Sequence, residues 1–134
     1  MTRVVVPVRY PLSSRSRATL AEAIRIADER DAFLTVLHIN QYQDSKQVTR
    51  RQLRREVESA FGELERTRYL VRKGLFVEEA ILEEVAAEET DIVVIGKKQA
   101  SRWREALRRL VGDPDIEQFL GQHLDCELIT VSGS

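Results

Sequence analysis

The sequence predicts an α/β fold of the open, three-layer kind, with a five-stranded parallel sheet sandwiched between helices. Three observations predict it. Short runs rich in β-branched residues, without the polar alternation of a half-exposed strand, recur along the chain, as in Val4-Val5-Val6-Pro7-Val8 and Asp91-Ile92-Val93-Val94-Ile95-Gly96. They alternate with amphipathic stretches at roughly 25 to 30 residues per unit, the rhythm of strand, crossover helix and parallel strand. The run that ends at Gly96 places a glycine where an open α/β sheet has its ligand crevice.

Taken in order, Val4 to Val8 is the first strand. The polar stretch Arg9 to Ser16 contains Pro11 and three serines, any of which can cap the helix that follows, whose inner face carries Leu20, Ile24 and Ala27. Leu34-Thr35-Val36-Leu37-His38-Ile39 is the second strand, followed by a polar connection from Asn40. From Val48 to Arg68 the apolar residues Val48, Leu53, Val57, Phe61 and Leu64 recur at three-to-five-residue steps, which predicts one amphipathic helix. A short third strand is expected in Tyr69-Leu70-Val71 to Val77, bracketing a turn at Gly74. Glu78 to Glu89 then supplies a helix with Ile81, Leu82 and Val85 inward. Asp91 to Gly96 is strand four. Trp103, Leu107 and Leu110 stand at helical spacing, and Asp113 can cap a further helix starting at Pro114. Glu127 to Val131 closes as strand five.

The chain has 134 residues, which suits a single domain over 1–134, and I-, V- and L-rich segments are numerous enough to build a core without disulfides or metals. With 43% hydrophobic and 32% charged residues, the composition is that of a soluble globular protein. Lys and Arg number 21 against 22 Asp and Glu, so no global field steers the chain toward nucleic acid or anionic lipid. The single cysteine, Cys126, can form no bridge within the chain, and a reducing, cytoplasmic location is the default expectation. No stretch approaches the ~18 consecutive apolar residues of a membrane span, and the N-terminal apolar run is shorter than a signal-peptide core.

The first strand, the Leu34–Ile39 strand, Gly74 followed by Glu79-Ala80-Ile81-Leu82-Glu83-Glu84-Val85-Ala86, and the Asp91–Gly96 strand together resemble the universal stress protein family over nearly the whole chain. The resemblance implies an adenine nucleotide alpha hydrolase-like fold with a five-stranded sheet, frequent homodimerisation and, in one subset, ATP binding beside strands one and four. That subset carries glycine, two residues, glycine, nine residues, then glycine followed by serine or threonine. Gly96 matches the first position. Gln99 stands at the second, the next glycine is Gly112 after twelve intervening residues, and Asp113 stands where the hydroxyl would be. Glutamine adds bulk and aspartate adds negative charge where phosphate would approach. The family also often has an aspartate after the first Val-Pro-Val, and here the residue is Arg9, a permanent donor in place of an acceptor. The conventional ATP contact set is therefore not expected, and no cofactor is assigned; ATP or another adenine nucleotide is the alternative.

The positions to inspect are Pro7, Val8, Arg9, His38, Ile39, Gly96, Lys97, Lys98, Gly112 and Asp113. Two readings of the basic run stay open. Lys97, Lys98, Arg102, Arg104, Arg108 and Arg109 are opposed within their stretch only by Glu105, and Arg9, Lys97 and Lys98, with His38, can converge on an anion at the crevice in place of a glycine cradle. Alternatively they form a solvated helix face, partly neutralised by Glu78, Glu79, Glu83, Glu84, Glu88 and Glu89 of a neighbouring helix or subunit. Nucleic-acid binding through Arg50, Arg51, Arg54 and Arg55 is not favoured, since no recognition motif accompanies them and they can pair with Glu56 or Glu58.

Catalysis is not expected either, because no nucleophile with its base, metal cluster or acid pair stands out. His38 is read as a strand-end residue near the crevice and His123 as part of the last helix. Trp103 and Cys126 are read as core or interface residues. An ATP-hydrolysing switch would need a metal and a positioned water. The expectation is thus a regulatory, stress-associated module with protein partners, dimeric through an edge strand at Glu127–Val131.

Overall fold

In the computed structural model, which describes residues 1–111 and 124–132, nine elements follow one another. They are β1 (Arg3–Pro7), α1 (Ser14–Arg30), β2 (Phe33–Gln41), α2 (Arg50–Phe61), β3 (Thr67–Gly74), α3 (Val77–Ala87), β4 (Ile92–Gly96), α4 (Lys97–Val111) and β5 (Glu127–Val131). All strand pairs are parallel, and the sheet order is β3-β2-β1-β4-β5. The expected helix at Pro114, its cap Asp113 and His123 lie outside the described residues.

Alternation along each strand divides the interior in two. Val4, Val6, Leu34, Val36, Ile92 and Val94 point to the face covered by α1 and α2, where Leu20, Ala23, Ile26, Leu53 and Val57 close over them. Val5, Leu37, Ile39, Val93 and Ile95 point to the opposite face, under α3 and α4 with Ile81, Val85 and Trp103. A strand with apolar side chains on both faces cannot show a polar alternation, which explains the continuous runs. Strand order reverses between β1 and β4, so the helices that leave these two strands descend on opposite faces and part at the carboxyl end of the sheet.

Local chemistry sets the helix starts. Ser13 is the N-cap of α1 and its hydroxyl accepts the Ser16 N–H at 3.1 Å. Thr49 caps α2 in a capping box, reciprocated by the Gln52 side chain. Buried Asn40 fastens the connection between β2 and α2: its Nδ2 donates to the Val48 carbonyl and its Oδ1 accepts the Val48 N–H.

Two expectations are corrected. The amphipathic pattern from Val48 to Arg68 is not one helix: α2 ends at Phe61, and Gly62 follows with φ of 78°, a left-handed conformation that glycine adopts without a Cβ penalty. The third strand is longer and earlier than expected, spanning Thr67–Gly74, with Gly74 its last residue rather than the middle of a turn. A Cβ at Gly74 would lie 2.9 Å from the Ala80 Cβ, so glycine is required there by the close approach of α3.

Candidate functional site

The carboxyl ends of β1, β2, β4 and β5 open into a trough of about 1440 Å³, walled on one side by the start of α1 and on the other by the starts of α3 and α4. That exceeds the ~300–1,000 Å³ of a typical small-molecule pocket, so the trough accommodates a nucleotide-sized ligand together with water. Eight of the positions singled out from the sequence line it: Pro7, Val8, Arg9, His38, Ile39, Gly96, Lys97 and Lys98. Gly112 and Asp113 lie outside the described residues.

The stretch after Gly96 is not a loop. Lys97 begins α4 directly, so a phosphate loop is replaced by the first turn of a helix, with Lys97 and Lys98 exposed on it. Gly96 itself has a packing reason: a Cβ there would come within 3.3 Å of the Thr19 Oγ1 of α1. The glycine thus brings α1 close to the end of β4 and narrows the floor of the trough.

Five cations line the trough, Arg9, Arg15, Lys97, Lys98 and Arg102, against the two acids Asp44 and Glu78. Both acids have partners, Asp44 accepting the Gln41 N–H and Glu78 accepting from Gln99 Nε2 at 3.2 Å. None of the five cations forms an ion pair among the described residues. Two of the six glutamates expected to neutralise the basic run pair elsewhere: Glu84 with Arg72 at 3.0 Å and Glu88 with Arg68, both arginines belonging to β3. The hydrogen bond from Arg68 holds the Glu88 carboxyl below its ordinary range. Of the α2 arginines, Arg54 pairs with Glu58 as expected, but Glu56 turns to the backbone of Leu12.

His38 is half-buried and its Nδ1 lies 3.1 Å from the Val8 carbonyl. A carbonyl only accepts, so Nδ1 carries a proton and the ring is tied to the end of β1. The Tyr10 ring meets it edge-on at 6.3 Å between centroids. Trp103 is fully buried and its Nε1 donates to the Glu78 carbonyl at 2.9 Å, fastening α4 to α3 behind the trough. Cys126 is buried just before β5; its thiol donates to the Thr90 carbonyl, and burial, with Asp91 and Asp125 nearby, pushes its pKa up to about 11.

Sequence reasoning missed Arg15, Gln41, Asp44 and Phe76 as lining residues. Gln41, Asp44 and Phe76 sit within three residues of a strand's carboxyl end, a placement that would have nominated them, whereas Arg15 stands in the first turn of α1.

Among the described residues, no helix is long and apolar enough to cross a membrane. No curated protein sequence matches the chain. Among solved structures it is similar to the universal stress protein UspA from Lactobacillus plantarum, at 20% identity and a TM-score of 0.62, covering 97% of each chain. It is also similar to a universal stress family protein from Burkholderia pseudomallei, at 15% identity and a TM-score of 0.66, covering 98% of this chain and 96% of that one. A universal stress protein solved in complex with cAMP matches at 16% identity and a TM-score of 0.62, covering 99% and 98% of the two chains. At these identities the likeness is one of fold, the parallel five-stranded sheet with helices on both faces. The family model for universal stress proteins matches residues 1–131, and the chain accordingly belongs to the universal stress protein family.

Proposed function

We propose that the chain is a non-catalytic stress-response module, cytoplasmic as its lone cysteine suits, that senses a phosphate-bearing small molecule in the trough. Side-chain cations hold the anion in place of the glycine cradle used by the family's ATP-binding subset. The observation that carries the reading is the excess of five cations over two partnered acids around one crevice. Cations confined in a concave, partly desolvated site attract an anion more strongly than the same charges on an open helix face. A universal stress protein of the same fold has been solved in complex with cAMP, which supports a nucleotide among the candidate ligands.

Native mass spectrometry of freshly purified protein, followed by calorimetric titration with ATP, ADP, AMP and cAMP with and without magnesium, tests this. Co-purified or titrated nucleotide is expected, and replacing both Lys97 and Lys98 by alanine should weaken it at least about tenfold, as the loss of charge-assisted hydrogen bonds does. If no anion binds, the reading fails and the module signals through protein partners alone.

Assembly has its own supporting observation. The two sheet edges differ: β3 carries Arg68, Arg72 and Lys73, charges that discourage strand pairing, whereas β5 is Glu-Leu-Ile-Thr-Val with Leu128, Ile129 and Val131 only partly covered. Among the described residues β5 pairs only with β4. A homodimer formed by antiparallel pairing of two β5 strands satisfies that edge. Analytical ultracentrifugation at micromolar concentration should give twice the chain mass, and a single-chain mass removes the dimer.

A further inference from the structure

The near-neutral net charge conceals a separation of charge along the strands. Because all strand pairs are parallel, every helix sets out from the carboxyl end of the sheet. The connections into α1 and α2, with the first turns of those helices, hold Arg9, Arg15, Arg17, Lys46, Arg50 and Arg51, and α4 opens on Lys97 and Lys98. All eight are exposed, and none forms an ion pair among the described residues. The acids in these stretches and at the start of α3 are Asp44, Glu78 and Glu79. At the amino end the balance inverts. Asp28, Glu29 and Asp31 stand where α1 ends, Glu58, Glu63 and Glu65 where α2 ends, and Glu84, Glu88, Glu89 and Asp91 between α3 and β4. The cations in those three stretches are Arg30 and Arg66.

Helix starts favour acids and helix ends favour bases, through the macrodipole. Yet α1, α2 and α4 have no acid in the first turn, and α2 and α3 have no base in the last. The polarity is therefore no by-product of helix stabilisation; it is held against the helices' own preference. The carboxyl pole is also where Tyr42, Leu75 and Phe76 are exposed, at 63%, 60% and 55%. The Tyr42 N–H donates to the Gly74 carbonyl at 3.3 Å and Gln41 Nε2 to the Leu75 carbonyl at 3.1 Å, so the ends of β2 and β3 carry these side chains as one apolar tip. Lys73 precedes the tip on β3, and Lys46 follows it on the way to α2.

We propose that this pole is a docking surface for an anionic lipid bilayer, with Tyr42 and Leu75 entering the headgroup layer while Lys46, Arg50 and Arg51 face its charge. None of these five residues lines the trough, so the surface stands apart from whatever the trough binds. A flat anionic surface with apolar material just beneath it satisfies both parts of the pole, the cations by attraction and the tip by removal from water. A soluble polyanion engages the charge alone and leaves the tip in water. The acidic pole is repelled by the same surface, so docking has one orientation, with the carboxyl ends of the strands toward the lipid.

Co-sedimentation with vesicles of phosphatidylcholine alone, and of phosphatidylcholine mixed equally with phosphatidylserine, tests this. Binding is expected to the mixed vesicles only and should weaken as salt rises. Arg50→Gln combined with Arg51→Gln should weaken it about 10- to 30-fold, at about fivefold per cation near such a surface. Tyr42→Ala combined with Leu75→Ala should weaken it about tenfold. All four residues are exposed, and both arginines oppose the dipole of α2, so the urea midpoint of the arginine variant should hold or rise. Arg30→Gln combined with Arg66→Gln removes the same charge from the opposite pole and should leave binding unchanged. An equal loss in that variant overturns the docking surface, because net charge alone is then at work. Absence of binding to the mixed vesicles overturns it outright. Polyglutamate that displaces the protein from vesicles, together with a Tyr42→Ala, Leu75→Ala variant that binds as wild type, overturns it in favour of a soluble acidic partner.

Discussion

Glu56 Oε2, on α2, accepts a hydrogen bond from the backbone N–H of Leu12 at 2.8 Å, joining residues 44 apart in sequence. Leu12 is buried, and it belongs to the segment between β1 and α1 that also presents Arg9 and Tyr10 to the trough. One carboxylate on a helix that does not itself line the trough therefore holds one of its walls.

Replacing Glu56 by alanine leaves that buried N–H without its charged acceptor. A loss of about 1.5–3 kcal/mol is expected from urea unfolding, with faster amide exchange at Leu12. Glu56→Gln keeps an oxygen at the same reach and should lose less. Equal losses in the two variants would show that side-chain bulk rather than the hydrogen bond matters.

Trp103 is the chain's one tryptophan and is fully buried. Its emission should be blue-shifted in the native protein and should report unfolding as a single transition. Trp103→Phe removes the donor to the Glu78 carbonyl and should cost about 1–3 kcal/mol, followed by circular dichroism, whereas Trp103→Ala adds a cavity and should cost about 3–5 kcal/mol.

The Glu88 carboxyl is held low by Arg68, so the unfolded state takes up a proton at a higher pH than the folded state does. Its contribution to stability is fully present above the unfolded glutamate value of about 4.3 and disappears as pH falls through the lower folded value. The stability difference between wild type and Glu88→Gln should therefore be largest near neutrality and shrink below about pH 4. Urea midpoints measured across pH 3 to 7 check this, and a difference that grows on acidification contradicts it.

A methyl group at position 74 collides with the Ala80 Cβ, and Gly74→Ala should cost about 1–3 kcal/mol by overpacking. In the double variant with Ala80→Gly, the loss should be smaller than the sum of the two single losses, which a double-mutant cycle in urea measures. Strict additivity would show that the two positions do not meet.

The thiol of Cys126 is buried with its pKa pushed up to about 11, so little thiolate exists at pH 8. Reaction with a disulfide reagent at that pH should be slow in the native protein and rapid in denaturant. Prompt native labelling would place Cys126 at an accessible surface.

Most of the architecture was legible because β1, β2 and β4 are buried on both faces and so had to be written as unbroken apolar runs. The end of α2 was not. Leu64 continues the helical spacing of Phe61 and packs on the same core from outside the helix, so periodicity ran on where the positive φ of Gly62 had already turned the chain. At the site, the loss of the glycine pattern was visible in Gln99, yet the helical start at Lys97 was overlooked, although Lys, Gln and Ala are good helix formers. Phe76 escaped notice because a single apolar residue between a strand and a helix has no periodicity; only the tertiary position of the β3–α3 junction gives it meaning.

The sheet separates two cores that do not mix, and the trough takes one wall from each. Arg9 and Arg15 stand on the side packed by α1 and α2, while Lys97, Lys98 and Phe76 stand on the side packed by α3 and α4. Each wall can thus be rewritten without disturbing the interior behind the other, and the stability effects of changes made on opposite walls are expected to add. The scaffold is in effect modular at its mouth: one wall can change its chemistry while the other keeps its own.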